Sequence, residues 1–406
     1  SRAEPNEIIL VAGKGHENYQ DYGNKIISIS DREIIKKLKI NKNVINQKKQ
    51  NYLFNSKILN KIIKSKKIYS FDGLAIDSRD VKKNNLFLAI KGKNNDGNKF
   101  VSKAIKKGAS LIISSKNNKK TKKIIKVPDP INFLNKFAKL KRASSSAEIL
   151  AITGSSGKTS LKNILKNLLS RYKNTYASPK SFNNHFGVPL SLSNLNSTHY
   201  YGVFEVGMNK PGEINKLSKI IKPNLAIITN IAAAHIENFK NIKGIAKEKS
   251  EIINNIQKNG KVILNRDDKF FNYLNKKAKK KSIKVTSFGK SKNSDIRLLK
   301  VKYDGTIKKI FVSLNGPVIE ISFNNLNVYN ILASLAVLTE LNLNPKKIIQ
   351  EFKNLNPSEG RGQIHNIKRY KKNFKLIDES YNANPLSVKN ALDSFSEIKK
   401  NKFKKY

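Results

Sequence analysis

Cysteine is absent from the 406-residue chain, so neither disulfides nor thiolate metal sites are available to it. Its absence agrees with a reducing, cytoplasmic setting. Long apolar runs are missing too, since none approaches the ~20 residues that a membrane-spanning helix needs. The opening residues, Ser1 to Pro5, are not a signal peptide. Methionine occurs once, at Met208, so the chain lacks an initiator of its own and is expected to be a fragment. Acidic residues are scarce, 29 against 80 Lys and Arg, leaving a net charge of +51. Such an excess invites a nucleic-acid-binding reading. The lysines, however, run the whole length of the chain among Asn and Ile, and no aromatic interleaving of the kind that stacks bases accompanies them. The excess reads as a compositional bias on solvated faces, with non-specific attraction for anions at low salt and no specific nucleic-acid partner.

What is present is organised around Ile149 to Ser160. The apolar run Ile149 to Ile152 leads into Gly154 and Gly157-Lys158-Thr159. Leu161, Ile164, Leu165, Leu168 and Leu169 then mark one face of an amphipathic helix. Strand, glycine turn and helix in that order form the context of a phosphate-binding loop. Backbone N–H groups and the helix dipole meet phosphate oxygens, Lys158 reaches the β/γ-phosphates, and Thr159 holds Mg²⁺. Gly154, Ser155, Ser156, Gly157, Lys158, Thr159 and Ser160 are therefore the candidate ATP-binding residues. Ile152 stands where the usual motif has its first glycine, and an ordinary strand-to-helix turn remains the alternative.

In chain order, residues 1–40 offer a strand at Glu7 to Ala12, a turn from Gly13 to Glu17, and a capping-box helix start at Ser30 to Glu33. Residues 41–65, rich in Lys, Asn and Gln, read as a linker or the start of the next domain. Residues 66–127 make a small α/β unit, and 128–147 a connection around a helical stretch. The central unit spans 148–362, and 363–406 begin a further domain expected to be incomplete.

Within the central unit, Asn183 and Asn184 sit in a Gly- and Pro-punctuated loop, either touching substrate or forming a solvated turn. Glu205 ends the apolar strand Tyr201 to Gly207. A buried acid there costs several kcal/mol unless it meets Mg²⁺ or pairs with a lysine. His235 follows the C-terminal end of another strand, where ligands of open α/β sheets bind, and is either a phosphate or metal contact or a helix cap. A β-rich region spans about 295–323, and Asn327-Val-Tyr-Asn330 leads into the apolar helix Ile331 to Leu341. Glu359-Gly-Arg361-Gly and the run from Asp378 through Tyr381, Asn382 and Asn384 to Pro385 form polar, active-site-like loops.

Taken together, Thr153-Gly-Ser-Ser-Gly-Lys-Thr159, Asn183-Asn-x-x-Gly-Val-Pro189, Glu205-Val-Gly207, Asn230-x-Ala-Ala-Ala-His235, Ala246-Lys-x-Lys-x-Glu-Ile252 and Asp378-x-Ser-Tyr-Asn-Ala-Asn-Pro385 resemble the Mur ligases. The resemblance covers residues 70–395 in unbroken order and is greatest to the members that join D-alanyl-D-alanine to UDP-N-acetylmuramoyl-tripeptide. Residues 1–40 resemble the C-terminal tail of a different family member, the one that adds the third stem-peptide residue. The family implies a three-domain α/β architecture: a small UDP-binding domain, a central ATPase with a mostly parallel sheet, and a Rossmann-like C-terminal domain. ATP would phosphorylate the tripeptide's terminal carboxylate, and the dipeptide amine would attack the acyl phosphate.

By that resemblance Ser78 and Arg79 anchor the UDP end, with a surface turn as the plain alternative, and Asn98 replaces the family's usual His. Lys158, Glu205, His235 and Lys249 would be catalytic, Thr159 and Glu205 holding one Mg²⁺ and His235 a second. Lys249 would be carbamylated to serve that second ion, unless it is a plain solvated lysine. Asn327, Asn330, Arg361 and Asp378 match ATP-contacting positions. Asn183 and Asn184 would face the muramyl peptide, while Tyr381, Asn382 and Asn384 line the closing interface. A monomer is expected. Three other readings remain: a folylpolyglutamate-synthase-like ligase, a basic nucleic-acid-binding NTPase, and an inactive fragment that binds substrates without turnover.

Overall fold

In the computed structural model the described residues are 20–21, 26–27, 42–92, 95–117, 121, 123–233, 238–304, 307–369, 372–381 and 385–396. Of the tail-like segment only a two-residue antiparallel ladder is described, Gln20–Asp21 with Ile26–Ile27. The strand and helix expected around it, and Gly13 and Glu17, lie outside the described residues.

Residues 41–65 are not a linker. They hold a 22-residue helix, α1 (Lys42–Ile63). The Lys/Asn/Gln composition hid an apolar series at helical spacing, Phe54, Ile58, Leu59 and Ile62, which packs with Phe71, Phe133, Leu134 and Phe137. Asn55 fixes the helix by donating to the carbonyls of Phe71 and Asp72 at 3.0 and 3.1 Å. The small unit that follows is a parallel sheet, β1 (Leu74–Ala75), β2 (Leu86–Ala89), β3 (Leu111–Ser114) and β4 (Ile124–Lys126), with α2 (Val101–Lys106) between β2 and β3. Helix α3 (Pro130–Ala143) begins with Asp129 capping Ile131 N–H. It places Phe133 and Phe137 against the small sheet and Ala138 against the large one, so the connecting stretch is itself core.

The central unit begins with β5 (Glu148–Thr153), α4 (Lys158–Ser170), β6 (Thr175–Ala177), α5 (Gly187–Ser193), β7 (Tyr201–Glu205), α6 (Glu213–Ile221) and β8 (Leu225–Ile228). It continues with α7 (Ile242–Lys249), β9 (Lys261–Asn265), α8 (Phe271–Lys279) and β10 (Lys284–Gly289). The meander β11 (Ile296–Asp304), β12 (Ile307–Leu314) and β13 (Val318–Phe323) and helix α9 (Val328–Glu340) complete it. These strands form one nine-stranded sheet in the order β13-β12-β11-β10-β9-β8-β5-β7-β6. Pairing is parallel from β11 to β6 and antiparallel within the meander.

Strand β5 is covered on both faces, which is why it reads as an unbroken apolar run. Leu150 and Ile152 pack towards α4 and α9, Ile149 and Ala151 towards α5, α6 and α8. The middle of helix α9 is strongly apolar because it is enclosed: Ile331 to Val337 include no exposed side chain. The chain leaves β5 for β6 past β7, then crosses back from β7 to β8 on the other flank. That reversal opens a crevice at the C-terminal end of β5, the place where such sheets bind ligands. Beyond the sheet, α10 (Glu351–Asn354) precedes the hairpin β14 (Gln363–Arg369) and β15 (Lys372–Asp378), followed by α11 (Pro385–Ser396). The mixed α/β architecture with a large, mostly parallel sheet matches the expectation from sequence. Among the described residues no helix is long and apolar enough to cross a membrane.

Candidate active site

The crevice is a cavity of about 1270 Å³. The loop after β5 forms its floor, the ends of β7, β8 and β9 its sides, and residues 357–381 a facing wall. Two glycines make the loop possible. Gly154 has φ 144°, and a Cβ there would sit 1.9 Å from Thr229 Oγ1. Gly157 has φ 80°, with Asn330 Oδ1 2.9 Å from where its Cβ would stand. Ile152 needs no such freedom, since it still belongs to β5, paired with Glu205 of β7 and Ile227 of β8. The turn begins only after Thr153.

Asn230 and its neighbours strap this loop down. Ser155 N–H donates to Asn230 O at 2.9 Å and Ser156 N–H to Asn230 Oδ1 at 3.0 Å. Thr229 Oγ1 donates to Ser156 O at 2.6 Å, and Ser155 Oγ donates to Ala232 O at 2.9 Å. Thr229, Asn230 and Ala232 therefore shape the loop from beneath. With Ser156 N–H spent in this way, the amides of Gly157, Lys158, Thr159 and Ser160 are the donors at the start of α4, where an intrahelical acceptor is lacking.

Lys158 Nζ donates to Gly154 O at 2.7 Å. Lys249, only 2% exposed, donates to the same oxygen at 3.0 Å. Burial pulls both ammonium groups below the ordinary lysine range, and for Lys249 the nearby Lys158 adds to the fall. The alternative of Lys249 as a solvated surface lysine is thereby excluded. Lys162 is buried beside them and donates to Lys180 O; burial lowers its pKa as well.

Glu205 is 1% exposed, and no lysine or arginine lies within ion-pair distance of it among the described residues. Its carboxylate accepts instead from Thr159 Oγ1 and Asn183 Nδ2, both at 2.7 Å. Its hydrogen-bond donors are neutral, while the buried Lys158 and Lys162 act on it from beyond ion-pair distance. One carboxylate and one hydroxyl, both hard oxygens, suit Mg²⁺, which keeps waters and phosphate oxygens in its shell rather than demanding a full protein cage.

The structure redistributes several expected roles. Asn183 lines the cavity, but its amide is spent on Glu205; Asn184 Oδ1 accepts from Phe186 and Gly187 N–H at the start of α5. Asn327 lines the cavity while its Oδ1 caps α9 at Tyr329 and Asn330 N–H. Asn330 is buried against Gly157. Arg361 lines the facing wall, its guanidinium 4.1 Å from the Tyr381 ring centre. Asp378 does not line the cavity. Alternation at the end of β15 sends Ile377 and Glu379 inward and Asp378 to the other side, where it accepts from Ser380 N–H at 3.0 Å and lies 3.9 Å from His365.

Ser78 and Arg79 are not brought to this cavity. Ser78 is buried in the small unit, and the exposed Arg79 guanidinium already grips Asp77 at 2.7–3.1 Å, which holds the Asp77 carboxyl below its usual range. Asn98, in place of the family's His, is tied to Asp96 and accepts from Ser114 Oγ at 2.6 Å. His235, Asn382 and Asn384 lie outside the described residues.

Among the wall residues that sequence reasoning missed are Asp267, Asp268, Glu379 and Ser181. Asp267 accepts from Tyr329 OH at 3.0 Å and from the Lys290 and Ser291 N–H groups. Asp268, whose carboxyl is pushed up by burial, accepts from Ile231 N–H at 2.6 Å. Both follow β9, and the rule that ligands gather at C-terminal strand ends pointed to them. Glu379 and Ser181 carried no comparable signal.

A family model described as "Mur ligase middle domain" matches residues 152–338, and one described as "Mur ligase family, catalytic domain" matches residues 70–142. The UDP-N-acetylmuramoyl-tripeptide--D-alanyl-D-alanine ligase of Rickettsia prowazekii (strain Madrid E) is 37% identical over 334 residues, 79% of this chain and 72% of that protein. Crystal structure I of MurF from Acinetobacter baumannii is similar with a TM-score of 0.74 at 27% identity, covering 84% of this chain and 76% of that one. MurF ligase from Thermotoga maritima in complex with ADP gives a TM-score of 0.68 at 28% identity, covering 80% and 74%. With that share of a relative matched at that identity, and with the phosphate loop seated at the switch point of the sheet, the chain belongs to the Mur ligase family.

Proposed function

We propose that the chain is an ADP-forming ligase that joins D-alanyl-D-alanine to UDP-N-acetylmuramoyl-tripeptide in peptidoglycan precursor synthesis, in the cytoplasm. One observation carries the reading: a phosphate loop with two lysines on one carbonyl faces a second wall that presents Arg361, across a cavity of about 1270 Å³. The substrates follow from the relatives. The folylpolyglutamate-synthase-like alternative shares the loop and domain plan but not the relatives' stated acceptor.

The chemistry sets what the residues must do. The tripeptide's terminal carboxylate takes the γ-phosphoryl group of ATP, releasing ADP. The dipeptide amine then attacks the acyl carbon, forming the amide and expelling phosphate and a proton. Negative charge spreads over the transferring group, so cations and positioning count for more than a protein nucleophile. Lys158 would exchange the Gly154 carbonyl for the β/γ-phosphate oxygens, and the first-turn amides of α4 would hold the β-phosphate. Arg361 would approach from the facing wall. Thr159 and Glu205 would hold Mg²⁺, which supplies charge neutralisation across the phosphates. Lys249, carbamylated, would add an anion that serves a second Mg²⁺, and by the family resemblance His235 would help hold that ion.

Binding to the full chain tests the substrate class. UDP-N-acetylmuramoyl-tripeptide should raise the unfolding temperature and give a calorimetric isotherm, and a folate monoglutamate should do neither. Stabilisation by the folate alone would overturn the proposal.

A further inference from the structure

Three hydroxyls and a carboxylate run in a line from the facing wall to the floor of the cavity. Tyr381 OH donates to Ser181 Oγ at 2.7 Å, Ser181 Oγ lies 3.3 Å from Thr159 Oγ1, and Thr159 Oγ1 donates to Glu205 Oε2 at 2.7 Å. Each hydroxyl has one proton, and a carboxylate only accepts. Thr159 has therefore spent its proton on Glu205, so the bond between Ser181 and Thr159 must be donated by Ser181. Ser181 in turn must receive from Tyr381. The protons all point one way, from Tyr381 down to Glu205.

This polarity has a consequence for Thr159. Its proton is committed to Glu205 and one lone pair to Ser181, leaving one lone pair for a cation. Tyr381 is itself held in register. Its N–H donates to Gly360 O at 3.1 Å, Gly360 is so close that a Cβ there would meet Tyr381 at 2.8 Å, and Arg361 stacks on its ring.

We propose that Ser181 is a positioning residue that couples the docking of Tyr381 to the cation seat at Thr159. When the facing wall closes, Tyr381 orients the Ser181 hydroxyl, and Ser181 fixes which lone pair of Thr159 faces the phosphates. When the wall is open, Ser181 loses its donor and Thr159 its fixed orientation. The seat is completed by closure. This inference rests on the ATP-ligase reading above and deepens it.

The test measures ADP affinity of the full chain by calorimetry with and without Mg²⁺, using unaltered protein, Ser181→Ala, Tyr381→Phe, the double variant and Ser181→Thr. Ser181→Ala and Tyr381→Phe should each reduce the Mg²⁺-dependent gain in affinity about three- to tenfold, the range expected for one hydrogen bond. The double variant should be no worse than Ser181→Ala alone, and Ser181→Thr should restore the gain. Affinity without Mg²⁺ should stay level throughout. Additive losses in the double variant, or equal losses with and without Mg²⁺, would overturn the coupling. Tyr381 is half exposed and its phenyl ring is kept in Tyr381→Phe, so that variant retains the fold even if Ser181→Ala does not. Failure of the unaltered chain to bind ADP would instead remove the ATP reading itself.

Discussion

Lys158 and Lys249 place their ammonium groups on one acceptor, the carbonyl oxygen of Gly154, at 2.7 and 3.0 Å. Two cations on a single buried carbonyl repel each other, and neither has a carboxylate within ion-pair distance among the described residues. The arrangement is one that anionic phosphates relieve. It also favours the neutral amine at Lys249, the more buried of the two.

A neutral buried amine is the form that reacts with carbon dioxide, giving a carbamate and a proton. Incubation with carbon-13-labelled bicarbonate should give one carbamate resonance, absent in Lys249→Ala. Its persistence in that variant would assign the carbamate elsewhere.

Glu205→Gln keeps the side-chain volume and removes the carboxylate charge. Mg²⁺ should no longer strengthen ADP binding to that variant. An undiminished Mg²⁺ effect in calorimetry would show that the cation sits elsewhere.

Gly154→Ala should destabilise the chain through its positive φ, which costs about 1–3 kcal/mol for a residue with a Cβ, with the clash against Thr229 on top. Urea unfolding of Gly154→Ala with Thr229→Ala should recover the steric part only. Complete recovery would mean that φ contributes nothing.

Asn327 and Asn330 should separate. Asn327→Ala removes a helix cap and should cost about 1 kcal/mol of stability with little change in nucleotide affinity. If that variant keeps its stability and loses nucleotide binding, the side chain contacts the nucleotide rather than the helix.

Lys141, 1% exposed in α3, donates to Asn55 Oδ1 at 2.6 Å, and burial pulls its pKa from 10.5 down to about 7. Between those values the unfolded chain holds a proton that the folded chain lacks, so this site adds stability as pH rises from about 7 towards 10.5. Below about 7 both states carry the proton and the full burial cost stands. Lys141→Met should therefore gain most over the unaltered chain near neutral pH and below, and lose that advantage near pH 10. A pH-independent difference in urea midpoints would contradict the shift.

Much of the site was legible because the loop is local. Gly154 to Ser160 need only the strand before them and the helix after them, and both show in the apolar spacing. Helix α1 was hidden because composition drew the eye to Lys and Asn rather than to Phe54, Ile58 and Ile62, which become core only against α3.

By itself the sequence determined the phosphate loop, the β-rich region at about 295–323, and the family. Each is written in contiguous residues or in the order of motifs. Tertiary structure alone decided what the polar side chains are used for. Asn183, Asn184 and Asn327 looked like substrate contacts, yet each has an internal partner that lies across a loop or at a helix start. The outward turn of Asp378, the pairing of Lys249 with Gly154 and the hydroxyl line through Ser181 join residues 22 to 200 positions apart or hinge on strand alternation. Hydrogen bonds and burial depend on where the backbone brings groups together, and that is set only when the sheet has closed around its core.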